Sequence, residues 1–488
     1  MTSRRTRFLG KLWWSWTWML VFLCSSSSSF PEISNSSSRV ITHLPGFHGS
    51  LPFHLQTGYV EVDETNGVHL FYYFVLSELS PVDDPLILWL TGGPGCSVLT
   101  ALAYEIGPLG FDDLNSCVDC LPRLVYKQDS WTKVSNVIFL DSPVGAGFSY
   151  SKTEQGYNSS DTKAVKQIII FLRKWLDDNP EFLSNPLYIA GDSYSGMIVP
   201  TVTSEIARGH VPFPGKEVGG ELAFNLKGYL VGNPVTDLSF DGPSTIPFVH
   251  GMGLISDEMF EVYKKSCSPG DNRYQSVECT NSLDAIGECV KGICPNHVLE
   301  PLCTFATPVP LKLRLNPGAR EMLQFQDYIE DAELQLSEIS LQCRTAGYIM
   351  SRIWANNGTV REALGIHKGT VPSWSRCKYD IPYSFDIEST VKYHLDVTRK
   401  GYRSLIYSGD HDMVRPFIGT QAWIRFLNLS IVDDWRPWYV DNQVAGYTTS
   451  YANNLTYATV KGGGHTAPEY MPRQCFTMFQ RWISGEPL

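Results

Sequence analysis

Leu187-Tyr188-Ile189-Ala190 runs directly into Gly191-Asp192-Ser193-Tyr194-Ser195-Gly196. An unbroken apolar run closed by glycine reads as a strand buried on both faces. Small residues around Ser193 suit a tight strand-to-helix turn that lifts the hydroxyl clear of the sheet. The N-terminus of the next helix then faces any negative charge that develops there. Turns of this kind place glycine two residues after the serine; Ser195 stands there instead and is small enough to fit. A serine in a glycine-rich turn is more often structural than reactive, so the rest of the chain has to supply its partners.

Further short apolar runs lie at Leu86 to Leu90, Val137 to Leu140, Tyr229 to Val231 and Leu405 to Tyr407, several ending in glycine loops. Between the second and the serine strand, Val165, Ile168, Ile169, Leu172, Trp175 and Leu176 recur at helical spacing, with Ser160 as N-cap and a stop before Pro180. Strand, helix, strand implies a right-handed crossover in a mostly parallel sheet. Residues 241–342, rich in Cys, Pro and charge, break this rhythm and read as a cap inserted between core segments 29–240 and 343–488.

A serine nucleophile needs a base, and the base needs an orienting carboxylate. Ser408-Gly409-Asp410-His411-Asp412 follows one strand, and Gly462-Gly463-Gly464-His465-Thr466 lies near the C-terminus. The order Ser, Asp, His is that of α/β-hydrolases. Asp412 is the preferred acid, Asp410 the alternative, and His465 the base. The oxyanion donors should be backbone amides on another strand-end loop, because fixed donors meet developing charge best. Thr91-Gly92-Gly93-Pro94-Gly95-Cys96-Ser97 follows Leu90, so the amides of Gly93 and Tyr194 form the natural pair. Arg415 can contact substrate or brace a carboxylate, and bracing is the simpler reading.

The 488 residues, 43% hydrophobic and only 18% charged, exclude general disorder. A net charge of −11 argues against a nucleic-acid partner, which would require a basic face. Arg4, Arg5, Arg7 and Lys11 precede an apolar stretch from Leu12 to Cys24, followed by serines 25–29. Residues 1–28 therefore read as a signal peptide, shorter than the about 20 apolar residues of a span, although four tryptophans also suit an uncleaved anchor. No membrane role is expected after cleavage. The 12 cysteines and the sequons at Asn35, Asn158, Asn357, Asn428 and Asn454 suit a glycosylated, disulfide-bonded secretory protein. Cys117 and Cys120 are a lone C-x-x-C pair, so neither a zinc site nor a cofactor is expected.

The runs WLTGGPGCS (89–97), DSPVGAGFSYS (141–151), GDSYSG (191–196), SGDHD (408–412) and GGGHTAP (462–468) occur in that order over nearly the whole chain. Together they resemble the plant serine carboxypeptidase-like family. The resemblance implies an α/β-hydrolase fold with a helical, disulfide-bonded cap, a Ser193, Asp412, His465 triad, and an oxyanion hole from Gly93 and Tyr194. It also implies disulfides joining Cys96 to Cys377 and Cys267 to Cys279, a vacuolar or extracellular location, and internal cleavage within about 304–342.

The family contains carboxypeptidases and acyltransferases that draw on 1-O-β-glucose esters. Its carboxypeptidases hold the substrate's terminal carboxylate with an Asn before two glycines, a Glu before the nucleophile and a second Glu downstream. The matching substrate-binding candidates are Thr91, beside Gly92, then Asp192 and Glu105, so only the third keeps the peptidase residue. Aspartate withdraws its oxygen by about 1.5 Å, one C–C bond, which takes a hydrogen bond out of range. Each lost charge-assisted bond, worth roughly 1.5–3 kcal/mol, weakens binding of a free C-terminus about tenfold or more. Transfer from a glucose ester to an acceptor hydroxyl is the preferred reading. Serine carboxypeptidase activity on a peptide C-terminus comes second, and an inactive secreted binding protein third. Donor, acceptor and oligomeric state have no signature in the sequence.

Overall fold

The computed structural model describes residues 38–112, 121–209, 224–267, 276–302 and 344–488. Residues 1–28, read above as a signal peptide, Asn35, the Cys117–Cys120 pair and the charged segment 304–342 lie outside these ranges. Residues Asn35–Leu488 form one compact unit.

Its centre is a twelve-stranded mixed sheet. In chain order the strands are β1 (Ser38–Ile41), β2 (Leu55–Asp63), β3 (Val68–Val75), β4 (Leu86–Leu90), β5 (Asn136–Leu140), β6 (Tyr150–Ser151), β7 (Leu187–Asp192), β8 (Leu226–Gly232), β9 (Arg403–Gly409), β10 (Ile431–Val440), β11 (Gln443–Tyr451) and β12 (Leu455–Val460). Across the sheet they run β1-β2-β3-β5-β4-β7-β8-β9-β12-β11-β10, with β6 beside β3. The parallel pairing expected from the apolar runs occupies the middle, from β5 to β12. Antiparallel strands flank it on both sides. Every residue of β4, β5 and β7 is buried, because helices and loops cover both faces of a parallel centre.

The crossover helix α1 (Asp161–Asp178) begins where the spacing places it, with Ser160 Oγ accepting from Lys163 N. It buries the six apolar side chains named above. Each contributes about 1.5–3 kcal/mol of gross burial free energy, enough to dock the helix firmly. Helix α2 (Ser195–Arg208) follows the serine turn. Between β8 and β9 the described residues carry helices α3 (Thr245–Gly251), α4 (Asp257–Ser266) and α5 (Val277–Val290). Phe248, Val249, Ile286 and Val298 cluster there with Met413, so this helical segment packs against the loop after β9.

Both disulfides implied by the resemblance are present, Cys96–Cys377 and Cys267–Cys279. The first stitches residues 95–97 to 376–378, reinforced by Ser97 N donating to Arg376 O over 2.7 Å and Lys378 N to Gly95 O over 3.0 Å. Among the described sequons, Asn158 and Asn428 are exposed. Asn454 is exposed too but donates its Nδ2 to Gly401 O, and Asn357 caps a short helix through its side-chain oxygen. Among the described residues no helix is long and apolar enough to cross a membrane.

Candidate active site

Parallel pairing sets the C-terminal ends of β4, β7, β8, β9 and β12 along one rim, with Asp192 opposite Gly232 and Gly409 opposite Val460. Thr91, Ser193, Asn233, Asp412 and His465 follow these ends within a few residues. Open α/β sheets bind ligands at such a rim.

At the end of β7, Ser193 adopts φ of 56°, the left-handed region that L side chains avoid. Its turn is held by Ser193 N donating to Gly232 O and by Val235 N donating to Ser193 O, both over 2.9 Å. The departure at Ser195 has a local explanation: its hydroxyl donates to Asp192 O over 2.6 Å and closes the turn from inside. Gly92 lies directly against this turn. A Cβ there would stand 2.6 Å from Ser193 Cβ and 2.8 Å from Tyr194 N, so only glycine lets the loop after β4 approach the serine.

His465 Nε2 lies 2.7 Å from Ser193 Oγ, and its Nδ1 lies 2.8 Å from Asp412 Oδ2. A carboxylate only accepts, so Nδ1 carries the proton and Nε2 can take one from the serine. Asp412 is fully buried. Its Oδ1 accepts from Val414 N over 2.7 Å, and its Oδ2 also accepts from Asn233 Nδ2 over 2.7 Å. Asp410 is occupied elsewhere, bonded to His411 Nδ1 and Gly462 N. The structure thus brings Asp412, and not the alternative, to the imidazole.

The turn segment after α5 straps both loops in place. Asn296 O accepts from His465 N over 2.7 Å, and Pro295 O accepts from Met413 N over 3.0 Å. A Cβ on Gly464 would come within 2.4 Å of Asn296 O, which explains the glycine run before His465. Sequence reasoning missed Asn233 and this strap, because a lone amide and a backbone carbonyl leave no pattern.

Behind the serine sit Thr91, Asp192 and Glu105. Glu105 is 1% exposed, and among the described residues neither of its oxygens has a hydrogen-bond partner; Thr91 Oγ1 and Asp192 Oδ1 are likewise buried and unpartnered there. Burial pushes Asp192 up to about 6, against the opposing pull of His465. Burial, then the charges of Asp192 and Glu469, push Glu105 well above the carboxylate range. Lys127 turns its Nζ to the carbonyls of Tyr104 and Glu105, and burial lowers it to about 8. Arg415 donates to Val414 O and faces buried Asp241, the bracing role. Among the described residues no cluster of His, Cys, Asp and Glu is arranged to hold a metal.

The serine carboxypeptidase family model matches residues 45–485. Serine carboxypeptidase-like 3 of Arabidopsis thaliana is 47% identical over 456 residues, covering 93% of this chain and 94% of that protein. Serine carboxypeptidase-like 19 of the same plant is 47% identical over 461 residues, covering 93% and 95%. Among solved structures, the prohormone-processing carboxypeptidase Kex1 from Saccharomyces cerevisiae superposes with a TM-score of 0.67 at 19% identity, covering 91% of this chain and 95% of that one. That likeness confirms the α/β-hydrolase fold with its mixed sheet. With motif order, fold and relatives in agreement, this chain belongs to the serine carboxypeptidase family.

Proposed function

We propose that the protein is an acyltransferase that forms an acyl-enzyme on Ser193 from a 1-O-β-glucose ester and passes the acyl group to an acceptor hydroxyl. Ser193 Oγ, losing its proton to His465 Nε2, attacks the ester carbonyl. The tetrahedral oxyanion is met by the amides of Gly93 and Tyr194. The bond from the carbonyl carbon to the anomeric oxygen breaks, and His465 returns the proton to the departing glucose. His465 then deprotonates the acceptor hydroxyl, which takes the acyl group and restores Ser193. Water competes for the acyl-enzyme at about 55 M in bulk, so transfer requires an acceptor held at high effective molarity. Residues 241–342, read as the cap, are the proposed wall of that acceptor pocket.

One observation carries this reading. Thr91 Oγ1, Asp192 Oδ1 and both carboxyl oxygens of Glu105 are buried with no hydrogen-bond partner among the described residues. Above about 6 Asp192 is ionised and only accepts. The hydroxyls of a sugar supply donors to such a site, whereas a C-terminal carboxylate brings only further acceptors. A second reading, carboxypeptidase activity at acidic pH, is favoured by the raised Asp192 and Glu105. Below about 6 Asp192 is protonated and can donate to a carboxylate.

The deciding experiment incubates purified protein with a phenolic 1-O-acyl-glucose and a panel of small alcohols, and separately with blocked dipeptides. Ester exchange supports transfer. Fast peptide cleavage without exchange overturns it, and failure of a fluorophosphonate to label Ser193 favours an inactive binding protein. The proposal includes a secretory route to vacuole or extracellular space, with glycans on the exposed sequons.

A further inference from the structure

Tyr194 contributes more than its amide. Its hydroxyl donates to Asp161 Oδ1 over 2.5 Å, and the hydroxyl of Tyr383 donates to the same oxygen over 2.8 Å. Asp161 Oδ2 accepts from Ile387 N over 2.9 Å. Asp161 is fully buried, and its hydrogen-bonding partners are drawn from two separate stretches of chain, the serine turn and residues 383–387. It stands at the first position of α1, while Ser159 and Ser160 pair in parallel with Tyr383 and Ser384. The rings of Tyr383 and Phe385 meet that of Tyr194 edge-on, at 6.2 and 5.8 Å. Tyr194 and Tyr383 together face a cleft that Thr91, Pro94 and Pro143 also line, beside the loop carrying Gly93.

We propose that Asp161 is a positioning residue for acyl-enzyme formation, one carboxylate that fixes both the oxyanion-donor residue Tyr194 and the aromatic wall of the adjoining cleft. The inference rests on Ser193 being the nucleophile, and not on which acceptor resolves the acyl-enzyme. Tyr194 follows a residue held at a positive φ, so its amide points toward the oxyanion only while the strained turn is kept from relaxing. The turn's own hydrogen bonds restrain residue 193. The ring of residue 194, tied at its far end to Asp161, restrains the amide that follows. Burial, followed by the charge of Asp161, pushes both phenols up, so each remains a donor to the carboxylate. A donor displaced by a few tenths of an ångström leaves the range of about 2.7–3.1 Å in which it stabilises the oxyanion.

The test uses the full chain and the kinetics of a fluorophosphonate probe, whose phosphoryl oxygen occupies the oxyanion site once Ser193 is modified. Four variants are compared with wild type: Asp161→Asn, Tyr194→Phe, the two combined, and Asp386→Asn. Asp386 bonds the same helix start through Thr162 N and Oγ1 without a hydrogen bond to either tyrosine, and reports simple loosening of α1. The positioning role predicts that Asp161→Asn and Tyr194→Phe each lower the maximal labelling rate about tenfold, with the probe's half-saturation within about twofold. The combined variant should lose no more than the more impaired single variant, because both act on the one hydrogen bond between Tyr194 and Asp161. Asp386→Asn should label at the wild-type rate. Folded Asp161→Asn and Tyr194→Phe proteins that label as fast as wild type overturn the proposal. If Asp161→Asn does not fold, Tyr194→Phe decides alone, since it keeps the ring and the carboxylate. An unlabelled wild type defeats the assignment of Ser193 itself, a failure distinct from that of the positioning role.

Discussion

The side-chain amide of Asn233 donates to Asp412 Oδ2 over 2.7 Å, the oxygen that also faces the imidazole of His465. Asn233 is fully buried, sits at φ of 42°, and accepts from Gly409 N through its other amide atom. One residue therefore ties the end of β8 to the loop after β9 and limits how Asp412 can turn. Replacing it with alanine removes a hydrogen bond to a charged group, worth about 1.5–3 kcal/mol, and leaves Gly409 N unpaired. Asn233→Ala should lower the acylation rate about tenfold to a hundredfold. Asn233→Gly keeps the positive φ at no steric cost and separates the lost bond from backbone strain. Equal rates for wild type and the glycine variant would dismiss the bond as a contributor.

The two aspartates of the same loop should respond very differently to neutralisation. Asp412→Asn removes the acceptor that fixes the imidazole tautomer, and should reduce fluorophosphonate labelling by about three to four orders of magnitude. Asp410→Asn disturbs only the contacts with His411 and Gly462, and Gly462 lies three residues before His465. A loss below about tenfold is expected there. Comparable losses in both variants would mean that the loop acts as one unit.

Three buried aspartates give the fold a pH signature. Burial pushes Asp141, Asp192 and Asp241 each up to about 6, despite hydrogen bonds from neighbouring amides. In the unfolded chain they return to their ordinary value of 3.8, so the folded state holds more protons between these limits. Their contribution to stability is full below about 3.8 and is lost as pH rises through about 6. Opposing this at lower pH, hydrogen bonds from Thr162 outweigh burial and hold Asp386 below its ordinary value. Melting temperature should therefore rise by about a few degrees from pH 7.5 to pH 5 and fall again below pH 4. A melting temperature that climbs steadily from pH 5 to pH 7.5 would contradict the assignment.

The centre of the sheet and the rim that gathers the candidate residues were legible because burial on both faces produces unbroken apolar runs, and glycine marks close approach. Ser160, Ser193, Asp412 and His465 stand where those patterns point. The flanks were harder to read. β2 and β3 form a long hairpin announced only by Asn66-Gly67, a turn signal outweighed by the mixed composition of Leu55–Val75. Strand β10 exposes Ile431, Val432, Trp435 and Tyr439, so no buried run betrays it. Asn233 and Asp161 were invisible for another reason. Each acts through partners far away in sequence, and no local spacing records such a contact.

Restoring the peptidase residues at Thr91 and Asp192 tests the proposed activity most directly. Thr91→Asn supplies an amide donor, and Asp192→Glu extends the carboxyl by about 1.5 Å. Asp192 is only 2% exposed, so the extra methylene has to be fitted into a filled space, which costs about 1–3 kcal/mol of stability. The double variant should therefore melt earlier than wild type while cleaving blocked dipeptides about tenfold faster or more, two recovered hydrogen bonds being ample for that gain. Ester exchange should fall in the same protein, because the added donor and longer side chain intrude on the space proposed for the sugar. A double variant that gains no peptide cleavage and keeps full exchange would show that these two positions do not govern the choice between water and alcohol chemistry.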